Sequence, residues 1–187
     1  MMKILLIPIL CLTFISAACS SAEHGRLEPL EVEETEFGTI STYYQEEDIT
    51  DIETGPISIE VAKIIVSSAD VEKEEAQVLT SDEESEQVAF MLFVSTKDEN
   101  ILFSPDHLTL ETSKGEIIQK PDDYLSDTVD IQYLEEREVP RRITYPVQES
   151  EAAELNEVSL NIKAPTDLEG NALDEDTTLT IDLTTSP

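Results

Sequence analysis

The sequence predicts an all-β protein, an antiparallel β-sandwich of seven or eight strands. Short segments in which apolar and polar residues alternate recur at roughly ten-residue spacing, as half-buried strands require. No long stretch has the 3.6-residue period of an amphipathic helix, and no repeat or Gly/Ser-rich linker divides Gly55 from Leu183. The 187 residues suit one domain behind an N-terminal extension. Apolar residues make up 40% of the chain, enough for a core despite a formal net charge of −31.

The first element, residues 1–18, reads as a lipoprotein signal peptide. Met1 to Lys3 form a short positive end, and Ile4 to Ile15 form an apolar run broken only by Pro8 and Thr13. That run is shorter than the roughly 20 residues a bilayer span needs. Ser16-Ala17-Ala18-Cys19 resembles the lipobox of bacterial lipoproteins, whose cysteine is acylated and becomes the mature N-terminus. Ser16 stands where that motif usually has Leu or another aliphatic residue, and Ser16 with Ala18 also fits ordinary secretion, so a secreted form is the alternative. Cys11, behind the bulky Leu10, is lost with the signal. Lipidation of Cys19 would leave no free thiol, hence no disulfide, thiolate metal site or thiol nucleophile. The expected location is the extracytoplasmic face of a bacterial cell membrane, with two acyl chains as anchor at about 0.8 kcal/mol per buried methylene.

Residues 19–36 read as an acidic tether. Eleven acidic residues and no basic one lie between Arg26 and Lys63, a density of like charge that repels and extends a chain. The domain then occupies 37–187, with its core in 55–184. Phe37 to Tyr44 has the β-branched and aromatic character of an early strand. From Gly55, Ile57, Ile59, Val61 and Ile65 are expected on one face of the next strand, and Glu72 to Glu86 is a polar connection. Val88 to Val94 is apolar on both faces, as an interior strand should be. Ile101 to Phe103 and His107 to Thr112 continue the sheet, and Ser113 to Glu116 is a hairpin turn into Ile117 and Ile118. Further strands are expected at Val129-Ile131-Tyr133, Ile143-Tyr145-Val147, Val158-Leu160-Ile162 and Leu179-Ile181-Leu183. Ser150 to Leu155 suits a single helical turn, and Pro165 to Asp176 a loop.

The Gly55-Pro56-Ile57 start, the apolar strand at Val88, Phe103-Ser104-Pro105-Asp106, Gly115-Glu116, Leu125-Ser126-Asp127 and the Ala164-Pro165 to Gly170 turn resemble the telokin-like, immunoglobulin-fold lipoprotein domains of Gram-positive bacteria. Those domains of unknown function are related in fold to secreted mycobacterial immunoprotective antigens. The resemblance covers about Gly55 to Leu183 and implies an immunoglobulin-like sandwich in the cell envelope. It supplies no activity. Such domains often carry a glycine pair after the Ser-Asp, where this chain has Val129-Asp130.

The composition excludes several function classes. With 42 acidic and 11 basic residues, the chain cannot displace counterions from nucleic acid phosphates. Without Trp, and with 5% aromatic residues, it lacks stacking platforms for bases or sugars. His24 and His107 are the two imidazoles, and neither sits in an HExxH-type pair; no G-x-S-x-G elbow or phosphate-cradling glycine loop is present. No catalytic residue and no cofactor is expected, and the chain reads as a non-enzyme. Asp167, Glu169 and Asn171 have the 1, 3, 5 spacing of a calcium loop, with Asp174 close behind. Ala172 replaces its glycine and Thr178 its bidentate Glu, so a polar turn using Gly170 is the simpler reading. Arg141-Arg142, the lone basic pair, is expected to meet Glu135 to Glu138, with an anionic ligand as alternative.

The function these features suggest is a membrane-tethered, non-enzymatic binding module for an envelope protein partner. The alternative is a structural, anionic envelope component suited to high salt or alkaline surroundings. A hydrolase built from paired carboxylates ranks last.

Overall fold

The computed structural model describes residues 26–36, 38–71, 84–97, 100–130 and 139–185. Within them the chain forms β1 (Glu31–Glu34), β2 (Gly38–Thr54), β3 (Ile57–Val71), β4 (Glu84–Thr96), β5 (Ile101–Leu102), β6 (Leu108–Thr112), β7 (Ile117–Ile118), β8 (Arg141–Val147), β9 (Glu157–Ile162), β10 (Thr166–Asp167) and β11 (Thr177–Asp182). Strands β5, β7 and β10 are two residues long, too short to register as an alternating pattern in sequence. Single 3₁₀ turns occupy Pro105–His107 and Ala152–Glu154. No helix among the described residues is long and apolar enough to cross a membrane.

All strand pairs are antiparallel, and the two main sheets run β1-β2-β3-β4-β8 and β11-β9-β6-β7; β10 and β5 form a small third pair. Period-two alternation gives each main sheet one apolar face. Ile57, Ile59, Phe90 and Leu92 of the first sheet share one core with Leu108, Leu110, Leu160 and Ile162 of the second, all of them buried. Burying each such side chain contributes about 1.5–3 kcal/mol relative to exposure. The result is the all-β, immunoglobulin-like antiparallel sandwich that the sequence predicts.

Local departures have physical causes. The acidic stretch read as a tether through Glu36 contains β1, paired with β2 from Glu31 opposite Thr42 to Glu34 opposite Thr39. All four β1 side chains are exposed, so the glutamates stay in water while the backbone pairs. Strand β2 runs on to Thr54, well past the expected Tyr44. Ile65 does not share the inward face with Ile57, Ile59 and Val61. The pairing skips Ala62 on β3 against both neighbours, and this bulge turns Ile64 and Val66 into the core and leaves Ile65 half-buried outside. The loop 165–176 contains β10. Val129 is fully buried but belongs to no strand, and its expected strand partners Ile131 and Tyr133 lie outside the described residues.

Candidate interaction surface

Ser16, Ala17, Ala18, Cys19 and His24 lie outside the described residues. His107 ends the first 3₁₀ turn. Its Nδ1 accepts the Ser104 N–H at 3.2 Å and lies 3.2 Å from the Ser104 hydroxyl, and its ring packs 5.0 Å from that of Phe103. These contacts fold the strand entry.

The carboxylates considered for calcium are engaged in turns. Asp167 accepts the N–H groups of Glu169 and Asn171 at 2.9 and 2.8 Å, and the Asn171 side-chain amide at 2.8 Å. The Asn171 amide foremost holds its carboxyl below the ordinary range. Asp174 accepts the Gly55 N–H at 2.6 Å and the Glu175 N–H at 2.8 Å, and the Gly55 bond chiefly lowers its pKa. Gly170 has a φ of 87°, the conformation this turn requires. Glu169 is exposed. Among the described residues no group of three or more His, Cys, Asp or Glu side chains is placed to hold a metal ion.

Arg141 and Arg142 are consecutive on β8 and so project to opposite faces, which prevents them from forming one anion cradle. Arg142 Nε donates to Thr144 Oγ1 at 3.2 Å, and its backbone N–H donates to Asp127 Oδ2 at 2.8 Å. Residues 135–138, the expected partners, lie outside the described set.

The sandwich has two contrasting edges on the side where β7 and β8 meet. The edge of β8 is closed by residues 122–127: Asp122 and Asp127 donate their N–H groups to the carbonyls of Thr144 and Arg142 at 2.8 and 2.7 Å. The edge of β7, the last strand of its sheet, has no strand beside it among the described residues. Thr112 N–H donates to the Glu116 carbonyl at 2.9 Å, and Leu110 lies opposite Ile118. The intervening pair, Glu111 and Ile117, is therefore non-hydrogen-bonded, and the Ile117 N–H and C=O point off the sheet. The Ile117 side chain is 54% exposed.

A groove of roughly 480 Å³ opens beside this edge, within the range of about 300–1,000 Å³ common for ligand clefts. It runs over residues 115–123 and against Pro146, Gln148 and Glu149. Its walls are fixed by hydrogen bonds. Glu116, although buried, accepts the N–H groups of Gln148 at 2.7 Å and Glu149 at 3.2 Å, fastening the β6–β7 hairpin to the exit of β8. Asp122 accepts the N–H groups of Tyr124 and Leu125, both at 2.9 Å. Lys120 meets both oxygens of Asp123 at 2.8 and 3.0 Å, and that contact raises its pKa. Four carboxylates (Glu116, Asp122, Asp123 and Glu149) and one ammonium line the groove. Tyr124, next in the chain, is 92% exposed.

Sequence reading places Gly115-Glu116 in a hairpin turn but does not find the groove. Glu116 and Gln148 are far apart in sequence, and only an inward, buried Glu after a turn could have signalled the clamp. A scan against protein-family models, a search of curated proteins and a search of solved structures each found no match to this chain.

Proposed function

We propose that this chain is a lipid-anchored, extracytoplasmic β-sandwich that acts as a non-enzymatic binding module for an envelope partner. Cys19 carries the anchor, as the Ser16-Ala17-Ala18-Cys19 resemblance implies, and any spacing comes from the residues before Arg26, because Arg26 pairs with Glu151 and the Leu27 and Leu30 N–H groups are bonded to the sandwich. The observation that supports binding is the hydrogen-bonded groove beside the open edge of β7, with Ile117 and Tyr124 exposed near it. Rigid scaffolds that present exposed apolar and aromatic residues beside a concave surface suit protein recognition. Asp167 and Asp174, the carboxylates considered for calcium, and the His107 imidazole are occupied in holding turns.

The test is affinity capture from envelope fractions with the chain lacking its signal peptide as bait. Recovery of one identified partner, lost in Tyr124→Ala and kept when Glu28, Glu31 and Glu33 become Gln, supports the module. Recovery that follows net charge alone overturns it in favour of the anionic structural component. Intact-mass analysis should show an acylated Cys19, and Cys19→Ala should release the chain from the membrane.

A further inference from the structure

We propose that the groove beside β7 receives an extended, cationic peptide segment that adds to the sheet through the free backbone of Ile117. The inference rests on the binding-module reading and names its ligand class.

Each part of the surface contributes one requirement of strand addition. An added strand needs an unpaired edge, and β7 has one, with the N–H and C=O of Ile117 directed outward. It needs apolar contacts for its side chains, which alternate between faces, and Ile117 offers one on the outer face of β7, with Ile118 on the other face and Pro121 also lining the groove. It also needs a site that does not have to be ordered on binding. The Glu116 clamp and the Asp122 turn hold both walls in place.

Charge then selects the ligand. Glu116 is buried and turned to Gln148 and Glu149, and Lys120 is paired with Asp123, so with four carboxylates against one ammonium the groove keeps an excess of negative charge. The surrounding molecule, at −31 overall, attracts cations and repels acidic segments over about a Debye length. A second copy of this chain would bring its own acids to the same edge. Lysine or arginine side chains flanking one or two apolar residues match the surface better.

The probe is a short fluorescein-labelled peptide of alternating lysine and valine, titrated against the chain lacking its signal peptide and followed by anisotropy. The expected result is saturable binding that weakens with added salt and is absent for the glutamate–valine counterpart. Ile117→Pro removes the outward N–H where no bond to β6 is lost, and Ile117→Ala keeps the N–H but removes the side chain. Ile117→Pro should weaken binding at least about tenfold, with the melting temperature little changed. Glu149→Lys should weaken it several-fold. If Ile117→Pro does not fold, Ile117→Ala and Glu149→Lys carry the test.

Absence of saturable binding by the lysine–valine peptide overturns the inference. So does binding indifferent to both Ile117 variants, which would mark adhesion to the acidic surface at large. A wild-type dimer made monomeric by Ile117→Pro, seen in sedimentation, would assign the edge to a second copy and also overturn it. Partner capture that survives Ile117→Pro but is lost in Tyr124→Ala leaves the module reading intact while this inference falls. Failure of all partner capture removes the module reading itself.

Discussion

Tyr145 carries a hydroxyl into the core where, among the described residues, nothing receives it. Its ring packs edge-on against Phe90 at 6.2 Å, so the aromatic body is well placed, and burial pushes its phenol far above the ordinary range. A buried hydroxyl without a partner costs about 1–3 kcal/mol of desolvation. Tyr145→Phe should therefore raise stability by about 1 kcal/mol, or a few degrees in melting temperature; a lower melting temperature would count against this account. The exposed turn carboxylates behave in the opposite sense. Asp167, Asp174 and Asp182 have folded pKa values below their ordinary one, so the stability they supply is complete above about pH 4 and lost as pH falls through the depressed values. Asp174→Asn should lower the melting temperature at pH 7 and flatten its decline on the acid side, as thermal melts from pH 7 to pH 2 would show. These roles were poorly legible in sequence. Asp-x-Glu-Gly-Asn announces a turn, but nothing local announces that Asp174 reaches back to Gly55.

Strands with one wet face could be read directly, as Val158 to Ile162 and Leu179 to Leu183 show, because each second residue reports its side. Strand β3 could not, since the bulge at Ala62 moves Ile65 outside while Ile64, Ile65 and Val66 are consecutive apolar residues that do not mark which side each takes. Its partner β2 bends at the same level, where Asp48 adopts a φ of 54°. Strand β1 was hidden by its own glutamates, which signal repulsion although an edge strand needs only backbone partners. Gly38 makes that edge possible. It has a φ of 149°, and a Cβ there would lie 1.9 Å from the Asp70 carbonyl oxygen. Gly38→Ala should separate the start of β2 from the end of β3, at a cost of about 2 kcal/mol or more. Native-state hydrogen exchange should show protection lost over Glu31–Glu34, and unchanged protection there would refute the assignment.

The charge of −31 sits on a shell around an ordinary apolar core. Four ion pairs occur among the described residues, and each has at least one solvent-exposed partner, so they do little to offset the excess. Raising sodium chloride shortens the Debye length from about 8 Å at 0.15 M to about 3 Å at 1 M and relieves repulsion among the acids. The melting temperature should rise over that range, and a flat or falling curve would show that the repulsion is unimportant. The sandwich as a whole was legible because layered β architecture follows from repeated alternation. The groove was not, because it exists only where two chain regions distant in sequence are brought together. The connectivity also sets an order of assembly. Strands β2 and β3 meet across the two-residue turn at Gly55-Pro56, whereas β6 finds β9 with Leu110 opposite Leu160, about fifty residues on. Closing the longer loop costs more entropy before any contact compensates it. The β2–β3 hairpin and the equally local β6–β7 hairpin are thus the least costly contacts to form, and the pairing of β6 with β9 that completes the second sheet is expected to follow them.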